Sequence, residues 1–344
     1  MNSQTEGDGP YIFRNPDGSV QALWLYENHI WQRYWSAAQA SGVIHVAPRY
    51  GYAHSLNIDL RQPLQPVVAI QPATQRIIAI SDIHGEYERA THLLRVHGLI
   101  NAQDDWLADD ATLVVVGDTV DCGSHVTESL WLLYRLQQQA AAAGGAVYVL
   151  HGNHESMLLY GDQSYLHSCY QYTARAIDRD YWQLYAADSI LGQWLRTWPL
   201  LLRLGDTLFV HGGISPQTRH LAQDMEATNT RWRDSLGRPR PVVESDPTTA
   251  LLHNRQHGPA WYFGYFDGDI DTVSVRKICR DLGIQRLVVG HATVPEIRSL
   301  HQGQVIAIDC GLWQGMSGEL LFIEDDILSR GLADGSRQAL HSFS

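Results

Sequence analysis

Short apolar runs, each stopped by Asp, His or Gly, punctuate this chain from residue 77 onward. IIAI leads to Asp82 and His84, LVVV to Asp118, VYVL to Asn153 and His154, LFV to His211, and LVV to His291. Runs rich in Val and Ile that are bounded in this way read as buried strands. The predicted strands are 77–81, 112–116, 146–150, 200–204, 207–210 and 286–290, with short strands through 304–330. Between them the period changes. Ala90, Leu93 and Leu94 recur at helical spacing before a stop at Gly98, which predicts a helix over 86–96. Further helices are predicted over 125–143, ended by Gly144-Gly145, over about 175–197, and over 271–282. This alternation predicts an α/β fold: a mixed sheet with helices on both faces, or a two-sheet sandwich.

Two regions depart from the alternation. Residues 11–55 are aromatic and β-rich, with a hairpin at Pro16-Asp17-Gly18, and carry no cluster of metal-type residues. They predict a small N-terminal lobe, residues 1–70, packed on a catalytic domain at 71–344. The stretch 229–268 is rich in Arg, Pro and Gly and reads as a substrate-facing loop insertion.

Composition removes several function classes. The chain has 344 residues, 44% hydrophobic and 18% charged, which suits a full globular core. A formal charge of −12 disfavours a nucleic-acid scaffold or an anionic membrane as partner, and makes an anionic substrate depend on local cations. Lys277 is the only lysine, so no GK[ST] phosphate loop exists. Cys122, Cys169, Cys279 and Cys310 form no CxxC pair, and a reduced state is expected. The start is polar and lacks a signal-peptide pattern, so a cytoplasmic location is expected, and no run reaches membrane-span length. Nothing in the sequence fixes an oligomeric state.

The residues at the run ends carry the chemistry. Carboxylate, amide oxygen and imidazole suit hard or borderline divalent ions. If Asp118 bridges, one ion takes Asp82, His84 and Asp118, and the other takes Asp118, Asn153, His211 and His291. Two such ions about 3.5–4 Å apart polarise a phosphoryl group and supply hydroxide at neutral pH. His154 is then placed to protonate the leaving oxygen, with Asp121 fixing its tautomer.

In order along the chain these residues spell SDIHG (81–85), GDTVDCG (117–123), GNHE (152–155), HGG (211–213) and GH (290–291). The series resembles the metal-dependent phosphoprotein phosphatases within the calcineurin-like metallophosphoesterases, whose pattern is GDxHG, GDxVDRG, GNHE, HGG and a late GH. The resemblance spans about residues 76–325. DGPYIF and GPAWYFGY look most like the Shewanella-like bacterial branch. The resemblance implies an αβ sandwich, two divalent metal ions (manganese, iron or zinc) and hydrolysis of phosphomonoesters on phosphoserine, phosphothreonine or phosphotyrosine.

Two positions depart from the family. Cys122 and Phe263 stand where family patterns carry phosphate-clamping arginines, each able to form a bidentate charge-assisted fork. That opens a second reading, a phosphodiesterase or a hydrolase of small phosphoesters or nucleotides. A third is a metal- and phospho-ligand binding module without turnover, which retention of His154 and Asp121 disfavours. Arg255 is the candidate replacement cation. Cys122, Tyr262 and Phe263 are candidate substrate-facing positions, while Arg231 and Arg233 read as solvated.

Overall fold

The computed structural model describes residues 7–61, 63–72 and 74–340, so the outermost parts of the 1–70 and 71–344 spans lie outside the described residues. The chain opens with three antiparallel strands, β1 (Asp8–Arg14), β2 (Val20–Tyr26) and β3 (His29–Trp35), and a hairpin of β4 (Val43–Val46) and β5 (Leu56–Asp59). The predicted turn at Pro16-Asp17-Gly18 joins β1 to β2.

Next come β6 (Ile70–Gln71), β7 (Arg76–Ile80), α1 (Tyr87–Val96), β8 (Thr112–Val115), α2 (Val126–Ala143), β9 (Ala146–Val149), α3 (Asn153–Tyr160), α4 (Ser168–Ile177) and α5 (Ile190–Leu195). Strands β10 (Leu201–Leu204) and β11 (Thr207–Val210) precede α6 (Met225–Ser235), α7 (Arg240–Glu244), α8 (Pro247–Leu252), α9 (Gly264–Asp267) and α10 (Thr272–Leu282). The chain closes with β12 (Arg286–Val289), β13 (Arg298–Leu300), β14 (Val305–Ala307), β15 (Leu320–Glu324), β16 (Ile327–Gly331) and β17 (Arg337–Ala339).

Two six-stranded mixed sheets result, in the orders β17-β16-β15-β7-β8-β9 and β13-β14-β12-β11-β10-β6. In the first, β7, β8 and β9 are parallel neighbours. In the second, β11, β12 and β14 are parallel neighbours. Strand β8, TLVV, and strand β12, RLVV, are buried at every position, as strands covered on both faces must be. Parallel neighbours end together, so each sheet presents one row of carboxyl-terminal strand ends, the customary place for a site in an α/β fold.

The N-terminal strands share one continuous core with the rest. Tyr11, Phe13 and Trp24 are fully buried, each burial worth about 2 kcal/mol. Tyr11 also donates its hydroxyl to Asp8 at 2.9 Å, and Asp8 accepts from Thr127 of α2 and Thr173 of α4.

Two expectations need correction. The segment 229–268 is not loop: it holds most of α6 and all of α7, α8 and α9. Its Arg, Pro and Gly content masks strong helix starts. Asp224 accepts from Ala227 N, Asp246 accepts from Thr249 N, and Pro247 occupies the first helical position. The helix expected over 175–197 is two helices and a 3-10 turn (Tyr181–Tyr185). Asp178 ends α4 in the left-handed conformation, and Ser189 caps α5 through Gly192 N.

Candidate metal centre and catalytic site

Every predicted metal-ligating residue sits just beyond a strand of one of the two parallel rows. Asp82 and His84 follow β7, Asp118 follows β8, and Asn153 follows β9; His211 follows β11 and His291 follows β12. The chain must turn sharply there. Asp82, His84, Asp118 and His291 all adopt positive φ, between 47° and 63°, a conformation that costs free energy and marks functional turns. Gly152 is required by contact: a Cβ there would lie 2.0 Å from Asp118 Oδ1.

The side chains converge on a single oxygen. Asp118 Oδ2 lies 3.0 Å from His211 Nε2, 3.7 Å from His84 Nε2 and 3.9 Å from His154 Nε2. Its other oxygen accepts from the His154 backbone N–H at 3.0 Å. Asp82 Oδ1 is 3.9 Å from His84 Nε2, while its Oδ2 accepts from Ser81 and from the His291 N–H. Donor atoms of Asp82, His84 and Asp118 fall within 4.8 Å of one another, and so do those of Asp118, His211 and His291. Asn153 Oδ1 is 3.1 Å from His211 Nε2.

The hydrogen bonds show that this set fits metal ions. His84 Nδ1 is tied to Val120 O at 2.8 Å and His211 Nδ1 to Val116 O at 2.7 Å, and His291 bonds the Trp261 backbone. A ring nitrogen that donates to a carbonyl fixes the tautomer and turns the other nitrogen's lone pair inward. His211 Nε2 therefore faces two oxygens, Asp118 Oδ2 and Asn153 Oδ1, acceptor against acceptors. Contacts of about 3 Å are close enough for these donors to share one ion at bond lengths of about 2.1 Å. In the chain alone only a proton can relieve the conflict. Burial opposes charge on His211, yet Asp118 and Asp82 pull its pKa up to about 10. Burial holds His84 and His291 down to about 4, the neutral state a ligand needs. Asp82 is raised by burial and then by Asp309; Asp118 stays low against its burial because His211 and His154 face it.

The predicted catalytic pair is also assembled. His154 Nδ1 is 2.9 Å from Asp121 Oδ2. Burial alone would lower the His154 pKa, but Asp118 and Asp121 raise it to about 9.

The predicted substrate-facing residues divide. Phe263 is 44% exposed, with its ring 6.4 Å from that of His291. Cys122 is half-buried, with donor atoms of His84 and His154 within 4.8 Å. Burial and Asp121 push its thiol up to about 12, which keeps it unreactive. Arg255 lies over the Trp261 ring at 5.0 Å and 3.7 Å from Asp162. Tyr262 is a correction: it is buried at 1% exposure and its hydroxyl bonds Asp269, so it packs inside rather than facing substrate. Arg231 is exposed and paired with Asp246.

Three site features were missed by reading the sequence. Asp309 follows β14, beside β12, and acts electrostatically on Asp82; the apolar run VIAI before it was the available signal. Glu155 accepts from the backbone N–H groups of Asp118, Thr119 and Gly152 at 2.7–3.0 Å, clamping two ligand loops together. Tyr165 and Trp313 rim the cluster, their rings 4.9 Å from His154 and 6.0 Å from His84. No sequence spacing marks those two.

Comparison with known proteins agrees with this geometry. Residues 75–295 match the calcineurin-like phosphoesterase family. The crystal structure of a cold-active protein-tyrosine phosphatase of a psychrophilic Shewanella superposes with a TM-score of 0.91 at 32% identity, covering 98% of this chain and 100% of that one. Shewanella-like protein phosphatase 2 of Arabidopsis thaliana is 23% identical over 77% of this chain and 74% of its own length. Serine/threonine-protein phosphatase PP1-1 of Saccharomyces cerevisiae is 25% identical over 57% of each. The chain belongs to the calcineurin-like phosphoesterases and is a metal-binding hydrolase of phosphoric esters.

Proposed function

We propose that the chain is a dinuclear phosphomonoesterase acting on phosphorylated protein side chains. Asp82, His84 and Asp118 would hold one divalent ion (manganese, iron or zinc), and Asp118, Asn153, His211 and His291 would hold the other. When bound there, such a pair would supply Lewis-acid polarisation of the phosphoryl group and lower the pKa of a water. The observation that carries the reading is the His154–Asp121 pair, 2.9 Å apart and within 4 Å of the bridging carboxylate oxygen.

With Nδ1 committed to Asp121, His154 offers its Nε2 proton to the departing alkoxide or phenoxide oxygen. The Asp121 carboxylate, bonded to Nδ1, favours the protonated ring and so supports its role as a proton donor. Arg255 is the cation that steers the phosphate, held at the rim by Trp261 and Asp162. Residues 71–344 form the catalytic unit and 1–70 a supporting lobe. The protein-phosphatase names of the relatives favour a protein substrate, and the Shewanella structure favours phosphotyrosine.

One observation favours a second reading. Cys122 and the exposed Phe263 offer no guanidinium beside the cluster, and a phosphodiester carries less charge to neutralise than a monoester. The two separate on p-nitrophenyl phosphate and bis-p-nitrophenyl phosphate with manganese. Faster hydrolysis of the monoester, abolished by EDTA, is the expected result; preference for the diester assigns a phosphodiesterase.

A further inference from the structure

A phosphoryl group needs little more than the ligand cluster, but the fold provides much more room beside it. A cavity of about 740 Å³ lies along α3, the helix that begins with Asn153 and His154, and is lined by its Ser156, Met157 and Tyr160. That volume falls in the range of sites that enclose a ligand far larger than phosphate. Trp261 is shared by the cavity and the cluster, since its ring is 6.2 Å from that of His291. Arg255 lies over Trp261 on this shared wall, and Arg238 and Arg240, at and before α7, line the same cavity.

The charges of this wall run against those of the chain. The protein carries −12 overall, yet three arginines line one cavity. Arg255 is balanced by Asp162 and Arg240 by Glu244, while Arg238 has no ion pair among the described residues. Arg238 and Arg240 are exposed, so both guanidinium groups remain open to an arriving ligand. An excess of one positive charge, with two further arginines able to exchange partners, complements carboxylates.

We infer that this cavity receives the peptide flanking the phosphorylated residue and selects acidic side chains there. The inference rests on the protein-phosphatase reading. The phosphoryl group enters the cluster past Arg255, and the flanking chain runs along α3 toward Arg238 and Arg240. A carboxylate one to several residues from the phosphorylated side chain then meets the two arginines, with Tyr160 and Trp261 beneath the backbone.

The test uses two phosphotyrosine-mimetic peptides with a non-hydrolysable difluorophosphonate, identical except for acidic or neutral flanks. Binding to the full metal-loaded chain is read by fluorescence anisotropy. The acidic peptide is expected to bind about fivefold tighter, the effect of two exposed charge pairs. The preference should vanish in Arg238→Glu/Arg240→Glu, and shrink in Arg238→Gln should the double variant misfold by circular dichroism. Raising salt to about 0.5 M should narrow the gap. Equal affinity for both peptides, or a preference unchanged in the variants, overturns the inference. Stronger competition by a nucleotide than by the acidic peptide reassigns the cavity to a nucleotide. Turnover is measured separately on the matching phosphopeptides. Binding preference without hydrolysis defeats the functional reading alone, and hydrolysis without preference defeats the cavity assignment alone.

Discussion

His154 Nδ1 and Asp121 Oδ2 stand 2.9 Å apart, both side chains buried beside the carboxylate on which the site converges. The bond leaves His154 Nε2 as the one proton the pair can release. Replacing His154 with Ala should lower kcat by about 10²–10⁴, with the larger loss on phenyl phosphate than on p-nitrophenyl phosphate, whose leaving group needs less protonation. Asp121→Asn should cost about 10–100-fold. Both variants should keep their metal. Loss of metal from His154→Ala, measured on the same sample, would make His154 a ligand and remove it as the acid.

Gly152 and Gly144 separate a contact requirement from a conformational one. A Cβ at 152 would lie 2.0 Å from Asp118 Oδ1, whereas one at 144 meets nothing within 4 Å. Gly152→Ala should displace the central carboxylate and reduce activity at least about 100-fold. Gly144→Ala, at a helix end with φ of 87°, should cost about 1 kcal/mol in urea unfolding and leave kcat unchanged. Full activity in Gly152→Ala would mean that the Asp118 position tolerates displacement.

The ligand loops were legible because two independent signals coincide there. A run such as LVVV commits its residues to a buried strand, and the Asp or His that follows then has only a strand end to occupy. Neighbouring parallel strands do the rest. Asp309 shows the same signal at lower strength, since VIAI is followed by one acid with no second ligand-type residue beside it. Glu155 was visible as part of GNHE, but its work is to accept backbone N–H groups from loops distant in sequence, which no local pattern encodes. Residues 229–268 read as loop from sequence because Pro and Gly outweigh the caps. Asp246-Pro247 is a helix start as much as a turn, and only packing of Leu252 and Val243 into the interior decides between them.

His253 links stability to acidity at some distance from the ligand cluster. It stacks on Trp232 at 4.2 Å and bonds Ser235 Oγ at 2.6 Å. Burial pushes its pKa down to about 4 from the usual 6.5. Between those values the unfolded chain holds the extra proton, so stability is full above pH 6.5 and falls as pH drops toward 4. The slope from this group reaches about 1.4 kcal/mol per pH unit. Urea unfolding of His253→Gln across that window should show a flatter dependence than the parent chain. An identical slope in both would place the acid sensitivity elsewhere.

Cys122 occupies the position at which the family pattern carries an arginine, and its backbone N–H is held at 3.0 Å by Tyr165 O. Cys122→Arg should restore a fork toward phosphate and lower KM for p-nitrophenyl phosphate about tenfold, the effect of one charge-assisted contact. An unchanged KM would show that residue 122 does not face the phosphoryl group.

The account turns on the proposal that the Asp118 carboxylate would be shared by two cations. Elemental analysis of manganese-reconstituted protein, parent and Asp118→Asn side by side, reads this directly. Two ions per chain in the parent, with at least one lost from the variant, is the predicted result. A single ion in the parent, or two retained after the substitution, would contradict it.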